Sequence, residues 1–108
     1  MEQVKIVVFV PLTHSNIVRD AIGKTGANTI GNYDYCTFSN IGIGRFRPNE
    51  QANPYTGKAN KLEEVKEEKI EFICPRNKAK SAIRAIKDVH PYEEIAFDIY
   101  PLISEEKL

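Results

Sequence analysis

The sequence predicts an α+β fold, with one antiparallel sheet of four strands carrying two helices on one face. Three observations carry that prediction. Apolar residues recur at helical spacing twice, over Ile17 to Thr25 and over Ala79 to Ile86, and each stretch follows a strand-like run. A period-two run from Ile95 comes directly after His90-Pro91, where a helix must stop because proline drives the residue before it out of helical angles. Finally, Ile70, Phe72 and Cys74 alternate right after the charged stretch Leu62 to Lys69, which favours the outer half of one long strand over a short helix for that stretch.

Taken in order, Val4 to Val10 is apolar on both alternating faces except at Lys5, as suits a central strand, and Pro11 ends it. Ile17, Val18, Ala21, Ile22 and Thr25 form the apolar stripe of the first helix, with Thr13 as its N-cap and Gly26 closing it in a left-handed conformation. Gly26 to Asp34 has the glycine and asparagine content of a shaped loop. Tyr35 to Phe46 is extended, with Gly42 and Gly44 marking a bulge or a close backbone approach. Arg45 to Gly57 has neither period and carries two prolines; a loop of that length is functional, interfacial or disordered, and Phe46 and Tyr55 argue against disorder. The second helix follows Asn77 and buries Ala79, Ala82, Ile83 and Ile86, with Arg84 and Lys87 outside. In the last strand Ile95, Phe97 and Ile99 share one face, and Ala96, Asp98 and Tyr100 the other.

Strand, helix, strand, strand, helix, strand is the order of two interleaved split βαβ units, the ferredoxin-like sandwich with a long hairpin between its second and third strands. The sheet face without helices has apolar residues at Val7, Phe9 and Ile73, so association with further copies of the chain is the expected cover.

Residues 1–108 fit one domain able to bury its own core. Fifteen basic and fifteen acidic side chains cancel, leaving no global field for nucleic acid or an anionic membrane, and neither is an expected partner. No run has the length of a membrane span and the start lacks a signal-peptide pattern, so the expected location is cytoplasmic. Cys36 and Cys74, each inside a strand, read as buried free thiols.

The strings Gly31-Asn32-Tyr33-Asp34-Tyr35-Cys36, Gly44-Arg45-Phe46-Arg47-Pro48, Ala52-Asn53-Pro54-Tyr55-Thr56-Gly57 and His90-Pro91-Tyr92-Glu93-Glu94, followed by Tyr100-Pro101-Leu102, carry a resemblance that covers nearly the whole chain. Together they resemble the small domain inserted into bacterial Nif-three-like dinuclear-metal proteins and its standalone relatives of the YqfO type. That domain is similar to CutA and the PII signalling proteins, so the resemblance implies a ferredoxin-like fold and a trimeric habit. In the larger family the metals belong to the flanking domain, whose ligands have no counterpart here, and a dinuclear hydrolase activity is not implied.

The candidate ligand or subunit-interface residues are Tyr33, Arg45, Phe46, Arg47, Asn49, Glu50, Tyr55, His90, Tyr92 and Glu93. Arg45 and Arg47 straddle Phe46 and make a fork for a small anionic ligand, with Tyr33 or Tyr55 stacking on its flat part; the plainer reading pairs them with Glu50 or Asp34 between subunits. His90 with Glu93 or a cysteine would make a CutA-like divalent-metal site; the plainer reading has His90 capping the helix carbonyls and Tyr92 packing at a subunit seam. His14 is expected to face solvent. No nucleophile stands at an arguable spacing from a base, no phosphate-binding glycine motif is present, and no cofactor is expected. The sequence therefore points to a self-associating, non-catalytic binding or regulatory module, with a metal-binding protein as the alternative and a small hydrolase at a subunit interface as a weaker third.

Overall fold

The computed structural model describes residues 2–108. Strands β1 (Gln3–Pro11), β2 (Phe38–Phe46), β3 (Glu63–Pro75) and β4 (Phe97–Pro101) form one sheet in the order β2-β3-β1-β4, with every neighbouring pair antiparallel. Helices α1 (Ser15–Lys24) and α2 (Ala79–Val89) each enter through a short 3-10 turn and pack on one face of the sheet. This is the ferredoxin-like arrangement expected from the element order.

Alternation along the strands sorts the residues. Val4, Ile6, Val8 and Val10 of β1 and Ile70, Phe72 and Cys74 of β3 point toward the helices and meet Val18 and Ile22 of α1 and Ala82 and Ile86 of α2. Ile95 and Phe97 complete the edge of that core, although β4 begins only at Phe97. Burial pushes the Cys74 thiol up, so it stays protonated as a packing group.

Several local expectations are corrected. Thr13 does not cap α1: Leu12–His14 forms a 3-10 turn, His14 takes the cap position, and the Thr13 hydroxyl hydrogen-bonds the His14 ring instead. Ile17 is exposed, since the buried side of α1 is formed by Ser15, Val18 and Ile22. Cys36 lies before β2 in the loop, half-buried, with its thiol directed at the Tyr33 carbonyl. Gly26 does close α1 as expected, with φ +72° and its amide bonded to the Gly23 carbonyl.

The sheet face without helices carries an ion group among its apolar residues. Lys5 and Lys69 both reach the Glu71 carboxylate, at 3.2 and 3.3 Å, and hold it well below the usual carboxylate range. Val7 is already 4% exposed beside this ion group. Exposed apolar groups continue to the sheet's edges, with Phe38 on β2 and Tyr100 on β4 sharing this helix-free face and Ile41, Ile43 and Ile99 on the helix side.

Candidate functional site

The β2–β3 hairpin runs past the end of β1, since Pro11 pairs with Glu67 while β3 continues to Glu63 opposite Phe46. Residues 47–62 connect its strands and turn back toward the body of the protein. The chain closes this loop on itself, with the Asn60 amide donating to the Pro48 carbonyl at 2.7 Å. Asn60 at φ 64° and Gly57 at φ 101° supply the left-handed turns that the closure needs. The Asn49 side chain accepts from the Gln51 amide and stiffens the entrance.

Two contacts dock the loop. The Asn53 amide donates to Glu93 Oε2 at 2.7 Å, and the Tyr55 ring meets His14 edge to face at 5.6 Å between centroids. His14 is thus half-buried under Tyr55 rather than free in solvent.

Pro91 ends α2 and places His90 in an extended conformation, with the residue 8% exposed. Both ring nitrogens are used. Nδ1 accepts from the Tyr92 amide at 3.1 Å, which requires Nε2 to carry the proton and donate to the Phe9 carbonyl at 2.8 Å. His90 therefore joins the turn to β1 instead of capping α2 with its side chain; only its backbone amide bonds the Ile86 carbonyl. Burial lowers its pKa, outweighing the Phe9 carbonyl and Glu67, which favour the cation. Neither nitrogen has a free lone pair for a metal in this arrangement.

Between the hairpin, the loop and this turn lies a cavity of about 580 Å³. Phe46, Tyr55 and Tyr92 make its aromatic wall, with Tyr92 6.4 Å from the Phe46 centroid and 6.2 Å from that of Tyr55. Glu67 rises from the sheet beneath them. The Tyr92 hydroxyl donates to Glu67 Oε2 at 2.9 Å, while Oε1 lies over the backbone of Gly44, where a side chain on residue 44 would overlap it. Gly44 thus marks a close approach, by a carboxylate rather than a backbone. Burial and this bond to Glu67 push the Tyr92 phenol far up, so it remains a donor.

Of the residues singled out in the sequence, Arg45, Phe46, Arg47, Asn49, Tyr55, Tyr92 and Glu93 line this one cavity. Tyr33, Glu50 and His90 do not, His90 lying against the Tyr92 ring without lining the cavity. Tyr33 is 76% exposed in a turn bridged to Ile30, and Glu50 accepts from the Asn60 side chain at the loop's outer side. Of the two arginines, both on the cavity lining, Arg45 is paired with Glu64 across the hairpin at 3.1 Å and Arg47 has no ion pair among the described residues. Glu67 was missed by the sequence reading. It sits in the run Glu63 to Lys69, where only the register against Gly42 and Gly44 distinguishes it from solvated neighbours.

Among the described residues no three histidine, cysteine or acidic side chains come together as a metal-holding group, and no helix is long and apolar enough to cross a membrane.

No family model matches the sequence. The architecture places the chain in the CutA and PII-like class of ferredoxin-like folds: CutA from Archaeoglobus fulgidus superposes with a TM-score of 0.69 at 14% identity, covering 98% of this chain and 91% of that one. The particular relationship is to Nif-three-type proteins. A GTP cyclohydrolase 1 type 2 homolog of Halalkalibacterium halodurans is 50% identical over 101 residues, which is 94% of this chain and 27% of the relative. The Bacillus cereus protein related to NIF3 superposes with a TM-score of 0.83 at 47% identity, covering 95% of this chain and 26% of that one. The chain spans about a quarter of the length of the curated relatives it matches. Homologues of the YqfO and NIF3 type therefore cover this chain with one segment of their own, as its sequence strings implied.

Proposed function

We propose that the chain is a self-associating, non-catalytic module that binds a small molecule in the cavity between the residue 47–62 loop and the His90 to Glu94 turn. One observation carries the reading. A cavity of about 580 Å³ with an aromatic wall and a few fixed polar groups has the size and make-up of small-ligand sites. The loop over it is docked by specific bonds rather than draped, so the site is formed before a ligand arrives.

A catalytic reading has less support. The name carried by the relatives refers to a GTP cyclohydrolase, but those proteins are about four times as long, and His90, the obvious proton carrier near this cavity, is committed at both nitrogens. The divalent-metal alternative loses its central ligand for the same reason. Self-association is supported by the apolar side chains at both unpaired sheet edges, Ile41 and Ile43 on β2 and Ile99 on β4, and a trimer is the form the family resemblance implies.

Ligand-observed NMR with a set of cationic, anionic and neutral small molecules tests the binding reading. At least one class binds saturably and is lost in Tyr92→Ala. If no compound distinguishes the two proteins, the cavity is not a binding site.

A further inference from the structure

We infer that the cavity takes the cationic head of a small organic ammonium compound, seated among Phe46, Tyr55 and Tyr92 with Glu67 as its counter-charge. This rests on the proposed small-molecule site and names its ligand class. Aromatic faces attract cations whose charge centre comes within about 6 Å of the ring centroid, and a methylated ammonium, poorly hydrated, gains most from such a wall. Tyr92 stands at 6.2 and 6.4 Å from the other two rings with tilts of 50° and 57°, so the three planes enclose a corner instead of stacking shut. His14 and His90 back Tyr55 and Tyr92 respectively and hold that corner open.

The charges agree with the rings. Three lining carboxylates, Glu67, Glu93 and Glu94, face two lining guanidiniums, and one of these, Arg45, is already paired with Glu64. Glu93 is occupied by the Asn53 amide. Glu67 is held by one oxygen only, and its Oε1 accepts no hydrogen bond among the described residues while the Tyr92 hydroxyl fixes where it lies. A single positioned carboxylate suits one diffuse cation, whereas a hard metal ion would ask for several oxygens at short range. The exposed charges of Arg47 and Glu94 on the lining favour a soluble molecule over a bilayer surface.

Calorimetry and proton NMR on the full chain decide the matter, using choline and its uncharged carbon isostere dimethylbutanol. Choline shifts the Tyr55 and Tyr92 ring resonances saturably, and dimethylbutanol binds about ten-fold more weakly. Glu67→Gln, which keeps an oxygen for the Tyr92 hydroxyl, weakens choline by about the same factor and leaves dimethylbutanol unchanged. Tyr55→Leu, which keeps an apolar side chain against His14 but removes the aromatic face, also weakens choline. Equal affinity for both compounds, or binding of benzoate without choline, overturns the cation and leaves the small-molecule site standing. Absence of binding by every probe overturns both. Co-sedimentation with phosphatidylcholine vesicles without binding of free choline overturns the soluble ligand.

Discussion

His90 is the residue on which the turn depends, because it is buried and neutral with a fixed tautomer. Its sequence neighbourhood announced the helix stop through Pro91, but the partner of its ring, the Phe9 carbonyl, lies across the sheet and no spacing reveals it. Desolvation holds the folded-state pKa below 6.5, so the unfolded chain binds more protons than the folded one between the two values. The stability from neutral His90 is therefore complete above about pH 6.5 and declines as pH falls toward the lowered folded value, by at most about 1.4 kcal/mol per pH unit. Urea unfolding at a series of pH values shows that slope, and His90→Gln, which has nothing to titrate there, loses it. A slope unchanged by the substitution would assign it to other groups.

Gly44 is the second position where one atom decides. Gly44→Ala displaces the Glu67 carboxylate and breaks its bond to Tyr92, at a cost of roughly 0.5–1.5 kcal/mol. The same substitution in a Tyr92→Phe background costs distinctly less, because the bond is already gone. Denaturant midpoints of the four proteins complete the cycle.

At the scale of elements, the sequence was most legible where burial imposes a period. Both helices, β1, β3 and β4 were readable from apolar spacing, including β3, where a solvated, charged half continues into a buried one, whereas β2, with no buried residue, showed no such period. Element starts were less legible. α1 begins later than Thr13 suggested because Leu12 to His14 is wound as a 3-10 turn, and β2 begins at Phe38 because Tyr35, at φ 56°, breaks the extended run. The loop's composition marked it as shaped, but not where it docks. The bond from the Asn53 amide to Glu93 spans 40 positions and depends on the hairpin's length. Glu93→Ala should raise the hydrogen-exchange rate of the Asn53 amide about ten-fold, consistent with the roughly 1.5 kcal/mol of a charge-assisted bond. Amides in the centre of β1 should be unaffected. Equal exchange in both proteins would mean that Tyr55 against His14 holds the loop without Glu93.

For the whole molecule, the expectation of an uncovered apolar sheet face came from reading Val7, Phe9 and Ile73 by alternation alone. The Lys5, Glu71 and Lys69 group on that face already shields its centre, and charges on two neighbouring strands are not seen to meet until the register is known. Phe38 and Tyr100 extend that face at its two edges, and Ile41, Ile43 and Ile99 are exposed on the helix side of the same edges, which directs association to edge contacts as well as to the face. The candidate site was legible in part for a related reason. Phe46, Tyr55, Tyr92 and Glu93 stood out as members of composed loops, whereas Glu67 was one acid among several.

Native mass spectrometry of the protein purified gently from its own cells tests the central claim most directly, since one spectrum reports both subunit number and retained mass. The account predicts a multimer of the chain, with a small organic mass retained by wild type and absent from Tyr92→Ala. A bare monomer at micromolar concentration, with no retained mass in either protein, would contradict it.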